Sequence, residues 1–361
     1  MRQLLRNIAE IGAGQGAPQG ESNYCDYGIP FVKAGNLQEL TAGGSIDDIQ
    51  KVSEEVAKIH KLKLYPKGTV LFAKSGMSCL KGYVYTLPQD AYVVSHLACI
   101  TPKEDISEYL RLYFTFHRPN QLVKDAAYPS ISLADIGNLE IDTRDEQTRE
   151  HIILTLRSVE EIIAIRKQEL SVLDDLIKAR FVEMFGDPVK NDKGFDSKLG
   201  SEVFKLSNGR FVPEGKRFDS GIPVYGGNGI SWYTDELLFE KDTIVVGRVG
   251  FQSGNVHLVG GPLWVSDNAM YISSFYDDGY DLQFLSAVME HIDFTRFQDA
   301  GDLKKITQKP FMQMLYIKPP IEMQQEYNAF VAQVDKSKVA VQAAVEKVQL
   351  LFDSLMQQYF G

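Results

Sequence analysis

The chain repeats itself at a spacing near 175 residues, and no other feature narrows its fold as much. The segment Lys67-Gly68-Thr69-Val70-Leu71-Phe72-Ala73-Lys74-Ser75-Gly76 aligns with Lys241-Asp242-Thr243-Ile244-Val245-Val246-Gly247-Arg248-Val249-Gly250. Each is a short apolar strand ending in a cation and a glycine. Upstream, Ile29-Pro30-Phe31-Val32 with Gly35-Asn36 echoes Ile222-Pro223-Val224-Tyr225 with Gly227-Asn228, and downstream Val94-Ser95 echoes Val265-Ser266. Both halves close on an apolar strand, Leu139-Glu140-Ile141 and Leu315-Tyr316-Ile317.

A long helix follows each closing strand. In the first, Ile152, Leu156, Val159, Ile163, Arg166, Leu170, Leu173, Ile177, Arg180 and Met184 alternate steps of four and three. Adding 175 gives Tyr327, Val331, Val334, Lys338, Val341, Val345, Val348, Phe352, Leu355 and Tyr359. Seventeen of these twenty positions are apolar, against 44% of the whole chain, so the pattern is a heptad seam. The first helix leads from one half to the other and the second runs back, so the seams are expected to pair antiparallel. Arg166, Arg180 and Lys338 interrupt them as polar breaks that fix register. The expected fold is α/β (α+β): two repeated globular heads joined by two long antiparallel coiled-coil helices, pseudo-two-fold. Its parts are 1–142, a central helical segment 143–187, 188–318, and a C-terminal helix 319–361.

Charge and chemistry exclude several functions. There are 38 basic and 48 acidic residues, a net charge of −10, which argues against a uniformly basic nucleic-acid binder. Half of that net charge lies in the two connecting segments, so local basic faces remain open. Cys25, Cys79 and Cys99 are far apart, with no C-x-x-C, which excludes a disulfide framework or cysteine-rich zinc site and suggests a reducing cytoplasm. No apolar run reaches membrane-span length, and the start has no secretory h-region. The six histidines are dispersed, and phosphate-loop, zincin and nucleophile-elbow motifs are absent. Gly12-Ala13-Gly14-Gln15-Gly16, with Pro18 after it, reads as a flexible loop, and Glu214-Gly215-Lys216 as a turn rather than a nuclease motif. No catalytic or metal-binding residue is expected.

Polar residues in Gly-rich loops beside strands are the candidates for nucleic-acid contact. In the first half they are Lys33, Asn36, Lys74, Ser75, His96, Tyr128 and Ser130. In the second they are Arg210, Tyr225, Asn228, Arg248, Gln252, Trp264, Asp267, Asn268, Lys304 and Lys305. Arg, Lys, Asn, Gln and Asp read base edges, while Ser, Lys and backbone amides hold phosphates. Arg248 and Lys74 stand out because they recur at equivalent places.

The paired repeats, with Ser253-Gly254-Asn255-Val256, Phe181-Val182-Glu183-Met184-Phe185-Gly186-Asp187-Pro188 and Pro319-Pro320 followed by Gln324, resemble the specificity (S) subunit of type I restriction-modification enzymes along essentially the whole chain. The first repeat departs from the pattern, with Thr143-Arg144 where the second has Pro319-Pro320. The resemblance implies that each head is a target-recognition domain reading half of a split, asymmetric DNA site. It implies helices that separate the heads and dock two modification subunits, which bind S-adenosylmethionine and methylate adenine. Restriction subunits using ATP and Mg complete the complex, and the chain itself holds no cofactor. A seam of about 48 Å at ~1.5 Å per residue covers roughly 14 base pairs at about 3.4 Å each. With about four read at each end, roughly five to nine would stay unread. The alternatives are a two-headed scaffold for protein or RNA and, behind it, a nuclease.

Overall fold

The computed structural model describes residues 2–301 and 303–361. The chain forms two compact units, Met1–Ile165 with Ala344–Gly361, and Arg166–Ala343. Each therefore contains one head and a stretch of both long helices.

The first unit holds a four-stranded antiparallel sheet in the order Ala9–Ala13, Leu97–Pro102, Val70–Ala73, Val84–Thr86. A second sheet places Ile29–Val32 parallel to Ala91–Val93, with Lys51–Val52 and Leu64–Tyr65 at its edges. Arg2–Leu4 pairs with Glu140–Asp142 where the head meets the central helix. The second unit repeats this plan. Its main sheet runs Phe204–Asn208, Ala269–Phe275, Thr243–Gly247, Val256–Val259. Ile222–Gly226 lies parallel to Trp264–Val265, with Gly229–Thr234 alongside, and Asp196–Leu199 pairs with Leu315–Lys318.

The repeated strands are buried on both faces, which is why they read as continuous apolar runs rather than alternating ones. Ile244 and Val246 join the cluster under the helix Leu282–Ile292, with Phe284 and Val288, while Val245 faces Leu263, Val265 and Tyr271. In the first unit Phe72 meets Phe114 of the helix Ser107–His117, ring centroids 5.2 Å apart.

The two long helices are Glu146–Phe185 and Ile321–Phe360, each 40 residues. In the first unit Ile152, Leu156, Val159 and Ile163 share a core with Phe352 and Met356, bordered by Val348, Leu355 and Tyr359. In the second, Phe181 and Phe185 pack with Tyr327 and Val331, bordered by Ile177 and Met184. The pairing is antiparallel in both. Every apolar seam residue is buried or half-buried, including Leu170, Leu173, Val334, Val341 and Val345. Leu170, Leu173, Val334, Val341 and Val345 in the middle of the seam belong to neither head's core, whereas at its ends the seam merges with the head cores. Arg111 makes this connection in the first unit, with Nη1 and Nη2 donating to Glu160 of the central helix at 3.0 and 2.6 Å.

Of the three polar breaks, Arg180 reaches Glu326 at 2.8 Å and Lys338 reaches Asp174 at 2.6 Å, both crossing between helices. Arg166 instead bonds Glu169 on its own helix at 2.6 Å. The helix starts differ as their sequences do. Asp145 caps the central helix, its carboxylate accepting from the Thr148 N–H at 2.9 Å, where the second helix follows Pro319-Pro320. Buried Gln324 then donates to the Pro319 and Gly279 carbonyls and accepts from the Asp281 N–H, tying the second helix to its head.

Two sequence expectations are corrected. The glycine cluster near residue 14 is not a flexible loop: Ala9–Ala13 is a strand, and Gly14 and Gln15 donate their N–H groups to Leu97 and Val93. Gly14 is needed for close approach, since a Cβ there would sit 2.0 Å from the Val93 carbonyl oxygen. Gly209 is its counterpart, with the Ser266 carbonyl oxygen at 2.0 Å, which makes Arg210 the equivalent of Gln15. The echo of Val94-Ser95 in Val265-Ser266 is displaced by one residue. Gln15 donates to Val93 as Arg210 does to Val265, so the strand ladders equate Val93-Val94 with Val265-Ser266.

Candidate nucleic-acid interface

Each unit gathers residues from three distant segments at the point where its central strand ends. After Val70–Ala73 the chain turns through Lys74, Ser75 and Gly76. Lys74 donates its N–H to the His96 carbonyl at 2.9 Å and accepts from the Ile131 N–H at 2.8 Å. Ser75 bridges Ser130, and Gly76 donates to the Pro129 carbonyl at 3.0 Å. The Ser75 hydroxyl lies 2.8 Å from Nδ1 of His96. Lys74, Ser75, His96 and Ser130, spread over more than fifty residues of sequence, thus share one junction, with exposed Tyr128 two residues along from Ser130.

The second unit builds the same junction after Thr243–Gly247. Arg248 donates its N–H to the Asn268 carbonyl at 2.9 Å and accepts from the Ile306 N–H at 3.0 Å. Val249 bridges Lys305, and Gly250 donates to the Lys304 carbonyl at 2.8 Å. Arg248 Nη1 also donates to the Asp267 carbonyl at 3.0 Å, which fixes one edge of the guanidinium. Arg248, Asp267, Asn268, Lys304 and Lys305 therefore converge. The frame is made wholly of main-chain hydrogen bonds, so it survives the exchange of nearly every side chain on it.

The remaining candidates lie beside these junctions. Asn228 is exposed in the hairpin between Ile222–Gly226 and Gly229–Thr234. That hairpin tip rests against the strand end, since a Cβ on Gly227 would lie 3.2 Å from the Gly247 Cα. Gln252 occupies the turn after Gly250 and accepts from Asn255 through its side chain. Tyr225 is half-buried against Val245, Val265 and Tyr271, and burial raises its phenol pKa. Trp264 is buried with Val212 and Val224, and its indole N–H donates to the Arg210 carbonyl at 2.9 Å. Its ring therefore supports exposed Arg210 from below rather than facing solvent. Lys33 and Asn36 lie in the other sheet of the first unit, just after Ile29–Val32. There the Asn36 side chain accepts from the Lys33 N–H at 2.8 Å, and Lys33 Nζ reaches Gln50 at 2.6 Å above the Tyr24 ring.

Sequence reasoning missed three participants. Gln15 is the first-unit counterpart of Arg210, visible only through the strand ladder. Met77 and Phe251 follow Gly76 and Gly250 and stand 69% and 87% exposed. Among the described residues no cluster of His, Cys, Asp and Glu could hold a metal ion, and no helix is long and apolar enough to cross a membrane.

A family model described as the type I restriction modification DNA specificity domain matches residues 4–174, the first head and most of the central helix. Over that stretch, just under half of its length, the chain is similar to the type I restriction DNA-specificity family. The chain is also 30% identical over 138 residues to the type I restriction enzyme MjaIX specificity subunit of Methanocaldococcus jannaschii. That alignment covers 37% of this chain and 31% of the relative, so it spans about a third of the curated protein's length. Two solved structures share the fold of this chain over its full length. One is a type I restriction-modification S subunit from M. genitalium, with a TM-score of 0.59, 14% identity and 96% of that chain covered. The other comes from a study of complex assembly and conformational transition in the type I R-M system, with a TM-score of 0.58, 14% identity and 97% covered.

Proposed function

We propose that this chain is the DNA-reading, non-catalytic subunit of a type I restriction-modification complex, each head recognising one half of a split double-stranded site. The observation that carries this reading is the junction built twice. In each unit one backbone frame holds a cation, Lys74 or Arg248, at the end of a rigid strand, with further hydrogen-bonding groups beside it. A rigid element presenting polar side chains is what base reading requires, because a misplaced hydrogen bond discriminates poorly. The DNA contacts come from Lys74, Ser75, His96, Tyr128 and Ser130 in the first head, and from Arg210, Asn228, Arg248, Gln252, Asp267, Asn268, Lys304 and Lys305 in the second. Lys33 and Asn36 flank the first set, while Tyr225 and Trp264 support the second from within.

The low net basicity fits a subunit that shares phosphate contacts with partners. Two modification subunits dock on the long helices and supply S-adenosylmethionine chemistry, restriction subunits bring ATP and Mg, and the complex works in the cytoplasm. The decisive experiment maps methylated adenines genome-wide with and without the gene. Loss of methylation at one bipartite motif is the expected result. An unchanged methylome, together with copurification of an unrelated protein client, would replace this reading with the scaffold one.

A further inference from the structure

Isolated exposed apolar side chains are ordinary on protein surfaces and need no explanation. Met77 and Phe251 are different because they recur at one structural position. Each follows the glycine whose N–H closes the junction, Gly76 onto Pro129 and Gly250 onto Lys304. Those glycines have φ of +76° and +93°, a backbone setting that turns the next residue outward. Each turn is then closed alike: Cys79 donates to the Gly76 carbonyl at 2.9 Å and Ser253 to the Gly250 carbonyl at 3.0 Å, and both closing residues are buried.

Each turn is also pinned from outside by a side-chain amide. Asn120, in the short helical turn Pro119–Leu122, donates to the Leu80 carbonyl at 2.9 Å. Gln298, just after the turn Phe294–Phe297, donates to the Ser253 carbonyl at 2.6 Å and the Phe251 carbonyl at 3.4 Å. The facing segment adds a second exposed apolar residue at matching places, Tyr128 before Pro129 and Leu303 before Lys304, 80% and 56% exposed. An apolar tip held rigidly in water gains from burial and loses little entropy when a ligand covers it. The ligand must also suit Lys74, His96 and Ser130 in one head, and Arg248, Asn268, Lys304 and Lys305 in the other, with Asp267 the acidic member. Polyanionic duplex with apolar base faces and methyl groups satisfies both demands.

We propose that Phe251 and Met77 are the apolar base contacts of the two heads, packing against bases of opposite half-sites while the neighbouring lysines hold phosphates. This rests on the DNA-reading function above. An apolar contact releases no counterions, so its loss lowers affinity without changing the dependence of log K on log salt, whereas loss of a phosphate-binding lysine flattens that dependence.

The test uses the full chain with whatever subunits copurify, and duplexes selected from a randomised pool. Probes carry each selected half-site scrambled in turn. Phe251→Ala is expected to weaken binding by about 10- to 100-fold wherever one particular half-site is intact. It should match wild type where that half is scrambled and keep the wild-type salt slope. Phe251→Leu should retain most of the affinity. Met77→Ala should act on the other half-site alone, and Lys304→Ala with Lys305→Ala should reduce the slope. Thermal melting confirms that the turn variants fold. If wild type selects no sequence, the DNA-reading function itself fails. If wild type selects a site but Phe251→Ala binds every probe equally well, the apolar contact is overturned. Loss of a protein partner with DNA binding intact overturns it equally and makes the tip a docking surface.

Discussion

Arg248 and Lys74 occupy the same backbone position but differ as tools. The guanidinium is a flat fork with one edge already committed to the Asp267 carbonyl, leaving a fixed edge for a guanine or a phosphate. A lysine ammonium offers a mobile point charge. In the proposed DNA-reading function, Arg248→Ala should weaken recognition of one half-site by about 1–3 kcal/mol if the fork reads a base, measured at fixed salt on probes with each half scrambled. Equal loss on all probes would make it a phosphate anchor. A second residue-scale prediction concerns Asp277, buried between Lys198 at 2.6 Å and Lys318 at 2.8 Å. Hydrogen bonds from these two lysines hold its carboxyl well below the usual carboxylate range. A depressed folded-state pKa contributes stability that is present above the unfolded value near 4 and lost as pH falls through the folded value. Asp277→Asn should cost about 1 kcal/mol at neutral pH, and its melting temperature should fall less than wild type's as pH drops below about 4. Parallel acid titration curves for the two proteins would contradict this.

The strands and helices show what a sequence discloses and what it withholds. Ile244, Val245 and Val246 announce a strand buried on both faces, and the four-three spacing from Ile152 to Met184 announces a helix with one apolar seam, because both signals are local periodicities. The junctions were legible only as a list of residues. Nothing local says that Ser130 meets Ser75 or that Lys305 meets Val249, since those pairings are set by long-range ladders. The same reason explains the one-residue displacement at Val93-Val94 and the missed equivalence of Gln15 with Arg210. Exposure is likewise tertiary: Trp264 and Phe251 are both aromatics in Gly-rich stretches of sequence, yet one is a buried post on a short strand and the other a bare tip. Between the helices, Lys338 and Asp174 offer a direct test of register. Lys338→Glu should lower stability by about 0.2–1 kcal/mol, as for other partly exposed pairs, and adding Asp174→Lys should restore it. A double variant no better than the single, by thermal melting, would show that the pair does not couple.

At the scale of the whole molecule, both units draw on both long helices, so the helices cannot be lengthened singly without shifting one seam past the other. Inserting one heptad into each keeps the seams in phase and adds about 10 Å. In the DNA-reading function this should widen the unread gap by about 3 base pairs. Selection of duplexes with the lengthened protein checks it, and an unchanged gap in an active variant would end the ruler interpretation. The junction frames have a broader consequence for how such a protein changes over time. Apart from the shared cation at Lys74 and Arg248, the matched pairs Ser75 and Val249, His96 and Asn268, and Ser130 and Lys305 have little chemistry in common, yet peptide groups close both frames in the same way. Folding thus places almost no demand on the side chains that meet a target. In the proposed DNA-reading function, preference for a new target is then accessible by substitutions that leave the scaffold intact, and one head can drift toward a different word while the other keeps its own.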